Sequence, residues 1–108
     1  MNNIFIEERF LDEINSIINK LYPMAVVWAY GSRVNGEAHQ GSDLDLVIKD
    51  FGHPKTPISK IKEALKESNI PFLIDIQQFD ALPQSFQTEI EKKHIVIYDG
   101  QTKNQQRF

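Results

Sequence analysis

The sequence predicts an α/β fold, a small sheet with helices packed on one face, from three observations. Apolar residues recur at helical spacing in separated stretches, short β-branched and aromatic runs stand between them, and 108 residues allow one hydrophobic core and one domain. Acidic residues inside two of the strand-like runs mark one face of the sheet as different from the other.

Ile6, Phe10, Leu11, Ile14, Ile17, Ile18 and Leu21 lie mostly three and four apart, which predicts an amphipathic helix that Pro23 ends and that covers the back of the sheet. The run 26–30, Val-Val-Trp-Ala-Tyr, predicts a buried strand. Alternation puts Trp28 and Tyr30 on one side of it and Val27 and Ala29 on the other, without saying which side is core. Gly31 and Ser32 form the turn at its end, and a short helix is expected to start near Ser32. A second strand over 44–48 turns Leu44, Leu46 and Ile48 into the core. Thr56 and Pro57 read as N-cap and first turn of a crossover helix whose stripe, Ile58, Ile61, Ala64 and Leu65, ends near Asn69. A third strand within 71–79 shows Phe72, Ile74 and Ile76 on one face and Leu73, Asp75 and Gln77 on the other. Leu82 and Pro83 open a last helix, with Phe86 and Ile90 four apart, before a short strand at 95–98. Residues 1–100 are read as the domain and the polar stretch 101–108 as a disordered tail.

Chemistry concentrates where Gly31-Ser32 is followed, after ten residues, by Asp43-Leu44-Asp45. Glycine lets the backbone approach a bulky anion, the serine hydroxyl adds a donor, and a helix starting there turns its positive end the same way. This is a triphosphate cradle. Asp43 and Asp45 are two apart on a strand, so their side chains share a face with Cα atoms about 6.5 to 7 Å apart. Two carboxylates about 5 Å apart repel by roughly 3 kcal/mol at an effective dielectric near 20, and a fold that holds them together supplies a cation. Magnesium, hard and compatible with phosphates, is the expected one. Asp75 joins them if the two acid-bearing strands are neighbours. Arg33 reads equally as a phosphate clamp or as a solvated first-turn residue.

Gly-Ser, ten residues, Asp-x-Asp and a later strand acid resembles the nucleotidyltransferase superfamily that includes DNA polymerase beta. The surrounding text, Tyr30 to Gly36 and Gly41 to Ile48, is similar to the minimal nucleotidyltransferases, the MntA-type proteins encoded beside HEPN-domain partners. Asn35 departs from the basic residue of many relatives. The resemblance implies a small mixed sheet of the polymerase beta-like kind and transfer of AMP from ATP to a tyrosine of a HEPN toxin, which silences it. It also implies that Asp43, Asp45 and Asp75 are catalytic and hold two magnesium ions, while Gly31, Ser32 and Arg33 bind the nucleotide's phosphates. An alternative expectation is an antitoxin that neutralises the same toxin by binding alone. Transfer to a small molecule ranks last, because antibiotic-modifying relatives carry an added helical domain.

Composition narrows the partners. With 12 Lys and Arg against 15 Asp and Glu, the net charge is −3, which disfavours a direct grip on nucleic-acid phosphates. There is no cysteine, so thiol chemistry is excluded. No run of about 18 apolar residues suggests a membrane span, and the charged N-terminal stretch lacks a signal pattern, so a cytoplasmic protein is expected. His39, His53 and His94 lack metal-ligand spacing. Lys55, Lys60, Lys62 and Lys66 alternate with Glu63 and Glu67 and read as a solvated helix face.

Overall fold

The first apolar stripe folds into α1 (Glu8–Leu21), which fully buries Ile14 and Ile18 and ends just before Pro23. The chain turns into β1 (Val26–Tyr30), passes through the one-turn helix α2 (Ser32–Asn35) and returns in β2 (Leu44–Asp50). Helix α3 (Ile58–Lys66) crosses to β3 (Ile74–Gln78), and a 3-10 turn at Phe79–Ala81 leads to α4 (Gln84–Lys92) and β4 (Ile95–Asp99). The computed structural model describes residues 4–36, 41–52 and 56–101. His39, His53, Lys55 and the tail beyond Gln101 lie outside the described residues.

The strand order is β3-β2-β1-β4, with β1 antiparallel to β2 and β4, and β2 parallel to β3. The sheet is therefore mixed, and α3 is the crossover that two parallel strands need. Its start differs by one residue from expectation. Pro57, extended at φ −73° and ψ 155°, takes the N-cap position assigned to Thr56. The Pro57 carbonyl accepts the Lys60 N–H at 3.0 Å and the Tyr22 hydroxyl at 2.8 Å, which anchors the helix start to the end of α1.

One sheet face carries Val27, Ala29, Leu44, Leu46, Ile48, Ile76 and Ile97, packed against Ile14 and Ile18 of α1 and Ile61 and Leu65 of α3. Each fully buried Leu or Ile here contributes about 1.5–3 kcal/mol, so this layer is the main core. The expectation that helices keep to that face holds for α1 and α3 and fails for α4. Val47 sits in the same alternating series of β2 as Asp45, yet it is fully buried with Ile90, Phe79 and Tyr30, and Trp28 and Leu82 pack beside them. The cause is topological: β3 and β4 are opposite edges, so the chain joining them must cross the sheet, and the Ile90 side of α4 closes over Val47. The acid-bearing face stays open at the Asp45–Asp75 end, and also on the β4 edge, where Val96 is exposed. Among the described residues no helix is long and apolar enough to cross a membrane.

Candidate active site

Two strand registers build the site. The β1–β2 pairing sets Tyr30 opposite Asp45, and the β2–β3 pairing sets Asp45 opposite Asp75, so the three stand in one row across the sheet. Neighbouring strands run about 4.8 Å apart. All three side chains lie on the acid-bearing face, Tyr30 at the border of the cluster that α4 covers, because Ala29, Leu44, Leu46 and Ile76 beside them fill the core. Asp43, expected on the strand beside Asp45, instead lies just before the first residue of β2 and is exposed, so strand alternation does not fix its direction.

The electrostatics follow from this crowding. Burial pushes the half-buried Asp45 carboxyl above its usual range, and the charges of Asp75 and Asp43 push it the same way. Gln77, two residues along β3, donates its side-chain amide to Asp75 Oδ1 at 3.0 Å and orients that carboxylate. Burial, then the nearby Asp45 and Asp75, push the Tyr30 hydroxyl up to about 12, so it remains a neutral donor at physiological pH. Its ring meets Phe86 of α4 edge-on at 5.7 Å.

Gly31 sits over this cluster. Its φ of +83° is a region that residues with a Cβ rarely adopt, and a Cβ built there would lie 2.5 Å from Asp45 Oδ2. The backbone thus passes directly beside the carboxylate. The Gly31 carbonyl accepts the N–H groups of Val34 and Asn35 at 2.9 and 3.0 Å, which starts α2 with Ser32 as its first residue. The short helix expected near Ser32 is present.

Arg33 is not a solvated first-turn residue: it is 3% exposed. Its guanidinium donates from Nε and Nη2 to the Ser42 carbonyl at 2.9 and 2.7 Å, and from Nη1 to the Phe5 carbonyl at 2.6 Å. It also stacks 4.0 Å from the Phe72 ring centroid. Burial lowers its pKa, with the Asp43 charge opposing. Arg33 therefore ties the N-terminal segment and the approach to β2 to the Gly31 turn. Arg33→Met should remove bonds to two carbonyls and cost roughly 2–4 kcal/mol. That is a fall in Tm of about 10 °C or more by calorimetry in a domain of this size; an unchanged Tm would show that the guanidinium is not a structural tie.

Sequence reasoning brought Asp43, Asp45, Asp75, Gly31 and Ser32 to one end of the sheet, and the structure gathers them there. It named neither Gln77 nor Phe86 as site residues, and it left open which face of the sheet Tyr30 occupies. The period-2 pattern places Gln77 beside Asp75, and Tyr30 would follow once the β1–β2 register is known. Trp28 proves to be packing: it stacks on His94 at 3.7 Å and meets Phe79 edge-on at 5.6 Å, with the Lys49 amine 5.5 Å from its ring. His94, just past α4, has Nδ1 3.0 Å from the Ile90 carbonyl oxygen.

The donor set suits a hard divalent cation in kind, being all carboxylate oxygen and mutually repelling. Among the described residues no three Asp, Glu, His or Cys side chains close into a cation site by themselves. That is compatible with a cation that takes one or two carboxylates and completes its shell from water and substrate phosphates.

Residues 12–103 match the family model described as "Polymerase beta, Nucleotidyltransferase". Over 87 residues the sequence is 34% identical to the "Probable protein adenylyltransferase MntA" of Haemophilus influenzae (strain ATCC 51907 / DSM 11121 / KW20 / Rd), covering 80% of this chain and 76% of that protein. A solved structure described as "Crystal structure of the toxin-antitoxin with AMP-PNP" superposes with a TM-score of 0.66 at 13% identity, over 88% of this chain and 77% of that one. At that identity the likeness is one of fold.

Proposed function

Because the chain belongs to the polymerase beta nucleotidyltransferase family, as a minimal nucleotidyltransferase of the MntA type, we propose that it transfers AMP from ATP to a hydroxyl of a partner toxin and so acts as an antitoxin. The observation that carries this reading is the in-register pair Asp45 and Asp75 beneath the Gly31 turn, a double carboxylate beside a close-approach backbone. The relative's name supports a protein acceptor, and the description of the solved structure supports a toxin as the partner and ATP as the donor. Within the reading the partner is a HEPN-domain toxin and the acceptor a tyrosine. The net charge of −3 fits a protein acceptor better than a nucleic acid.

The acceptor oxygen attacks the α-phosphorus of ATP. An oxygen–phosphorus bond forms as the bond to the bridging oxygen breaks, and pyrophosphate leaves with that electron pair. Asp43 and Asp45 are the residues to hold two magnesium ions, with Asp75 sharing the second. When bound, those ions supply charge neutralisation on the phosphates and a lowered pKa at the acceptor hydroxyl. Asp75, oriented by Gln77, accepts the hydroxyl proton. Gly31 offers close backbone approach and Ser32 a hydroxyl to the β- and γ-phosphates, and Arg33 steadies that loop from behind. Phe86 and the neutral Tyr30 wall the site on the α4 side.

The test is the intact mass of a HEPN-domain toxin after incubation with this protein, ATP and magnesium. A gain of about 329 Da or its multiples, one AMP each, is the expected product of such metal-assisted transfer. An Asp43→Asn, Asp45→Asn double variant should give none. Toxin silenced equally by both proteins, without any gain, would mean that binding alone silences it.

A further inference from the structure

The site has two unlike flanks. Gly31 and Ser32 lie on the β1 side of Asp45, and on the other side Asp75 stands on β3, an edge strand. Among the described residues no strand pairs with the outer side of β3, so its backbone offers a row of unused N–H and C=O groups. The strand lacks the usual protection of an edge, since Asp75 is its one charged residue and Leu73 just before it is 74% exposed. A groove of about 450 Å³ runs along this edge beneath α3, lined by Lys62, Lys66, Ile70, Leu73, Ile74 and Asp75.

Helical geometry sorts charges that look mixed in the sequence. Lys62 and Lys66 are four apart and both line the groove, whereas Glu63 and Glu67 do not. Both lysines are exposed, and among the described residues neither has an ion-pair partner.

We propose that the β3 edge and the Lys62–Lys66 groove are the acceptor-docking surface: an extended segment of the partner adds a strand to β3, with its hydroxyl residue flanked on both sides by acidic residues. This rests on the reading that the site transfers a nucleotide to a protein hydroxyl. Tyr30, Asp45 and Asp75 already form a row across the sheet, and a strand added at β3 supplies the next position in that row, on the same face as Asp75. The residues before and after that position point to the opposite face, toward α3. They stand about 6.6 to 6.8 Å apart, and Lys62 and Lys66 are separated by about 6 Å along the helix axis. Two acidic residues bracketing the hydroxyl therefore meet two lysines at matching spacing.

The probes are two heptapeptides, Val-Thr-Glu-Tyr-Glu-Thr-Val and Val-Thr-Lys-Tyr-Lys-Thr-Val. Binding is read from amide NMR shifts and AMP transfer from peptide mass with ATP and magnesium. The acidic peptide should shift amides across 73–77 and accept AMP about tenfold better in kcat/KM than the basic one, the scale of two solvent-exposed charge pairs. Lys62→Glu with Lys66→Glu should reverse the preference. Transfer without charge preference, or shifts elsewhere, overturns the docking surface and leaves nucleotide transfer standing. Charge-dependent shifts at 73–77, with no AMP gained by either the peptides or the toxin, uphold the binding edge and overturn the transfer reading. Neither shifts nor transfer with the peptides overturns the docking surface, and the toxin's mass alone then decides nucleotide transfer.

Discussion

Asp45→Asn should lose AMP transfer by roughly 10³-fold or more, the scale seen when one preorganised electrostatic partner of a transition state is removed, while making the protein more stable at neutral pH. The carboxyl is half-buried with Asp75 opposite it and Asp43 close by, and its pKa stands above the usual range because of that burial and those charges. The sign follows. A carboxyl with a raised folded pKa keeps its proton in the folded chain where the unfolded chain has lost it, so stability falls as pH rises from the ordinary carboxylate value through the raised one. Above that window Asp45 is ionised at a cost that asparagine does not incur. Thermal unfolding should show a higher Tm for the variant at pH 7, with the gap closing as pH falls through the carboxylate range. Magnesium should raise the Tm of the unaltered protein and leave that of the variant unmoved, since a ligand that binds only the folded state stabilises it. A variant that unfolds earlier at pH 7 would mean that Asp45 is a structural partner and not a strained acid.

Gly31→Ala should damage both stability and activity, for separable reasons. A φ of +83° costs a residue with a Cβ roughly 1–3 kcal/mol, and the new methyl would meet Asp45 Oδ2 at 2.5 Å, forcing the carboxylate to move. Displacing a catalytic group by about 1 Å costs on the order of 10²-fold in rate. Gly36 is the control. It has nearly the same positive φ, +88°, but a Cβ there meets nothing within 4 Å. Gly36→Ala should lower Tm by less, since its ψ of 9° is left-handed helical and no clash is added, and should leave transfer rates within about threefold, because backbone strain alone is at stake. Equal activity losses in the two variants would show that the close approach of Gly31 to Asp45 has no part in the chemistry.

The elements were largely legible because each carries its period locally. Leu44, Leu46 and Ile48 alternate into the core, and Leu73, Asp75 and Gln77 keep to the other face with no information from elsewhere in the chain. Arg33 was not legible. Its alternatives, clamp or solvated residue, both assumed that a cation in a first turn faces outward. It turns inward because the carbonyls of Ser42 and Phe5, distant in sequence, converge on it beside the Phe72 ring. The position of α4 was equally hidden, since the stripe on a helix says that one side must be buried and not against what.

By itself, then, the sequence determined where the acids gather along the chain and which side of its own strand Asp45 and Asp75 each occupy, because side-chain direction along a strand is a local consequence of backbone geometry. Only the tertiary structure decided that Asp45 faces Asp75 across a parallel pairing and that Tyr30 completes the row. It likewise decided that Val47 is covered while Asp45 is not. Strand order and register depend on contacts between segments far apart in the chain, and no local period records which partner a strand will meet.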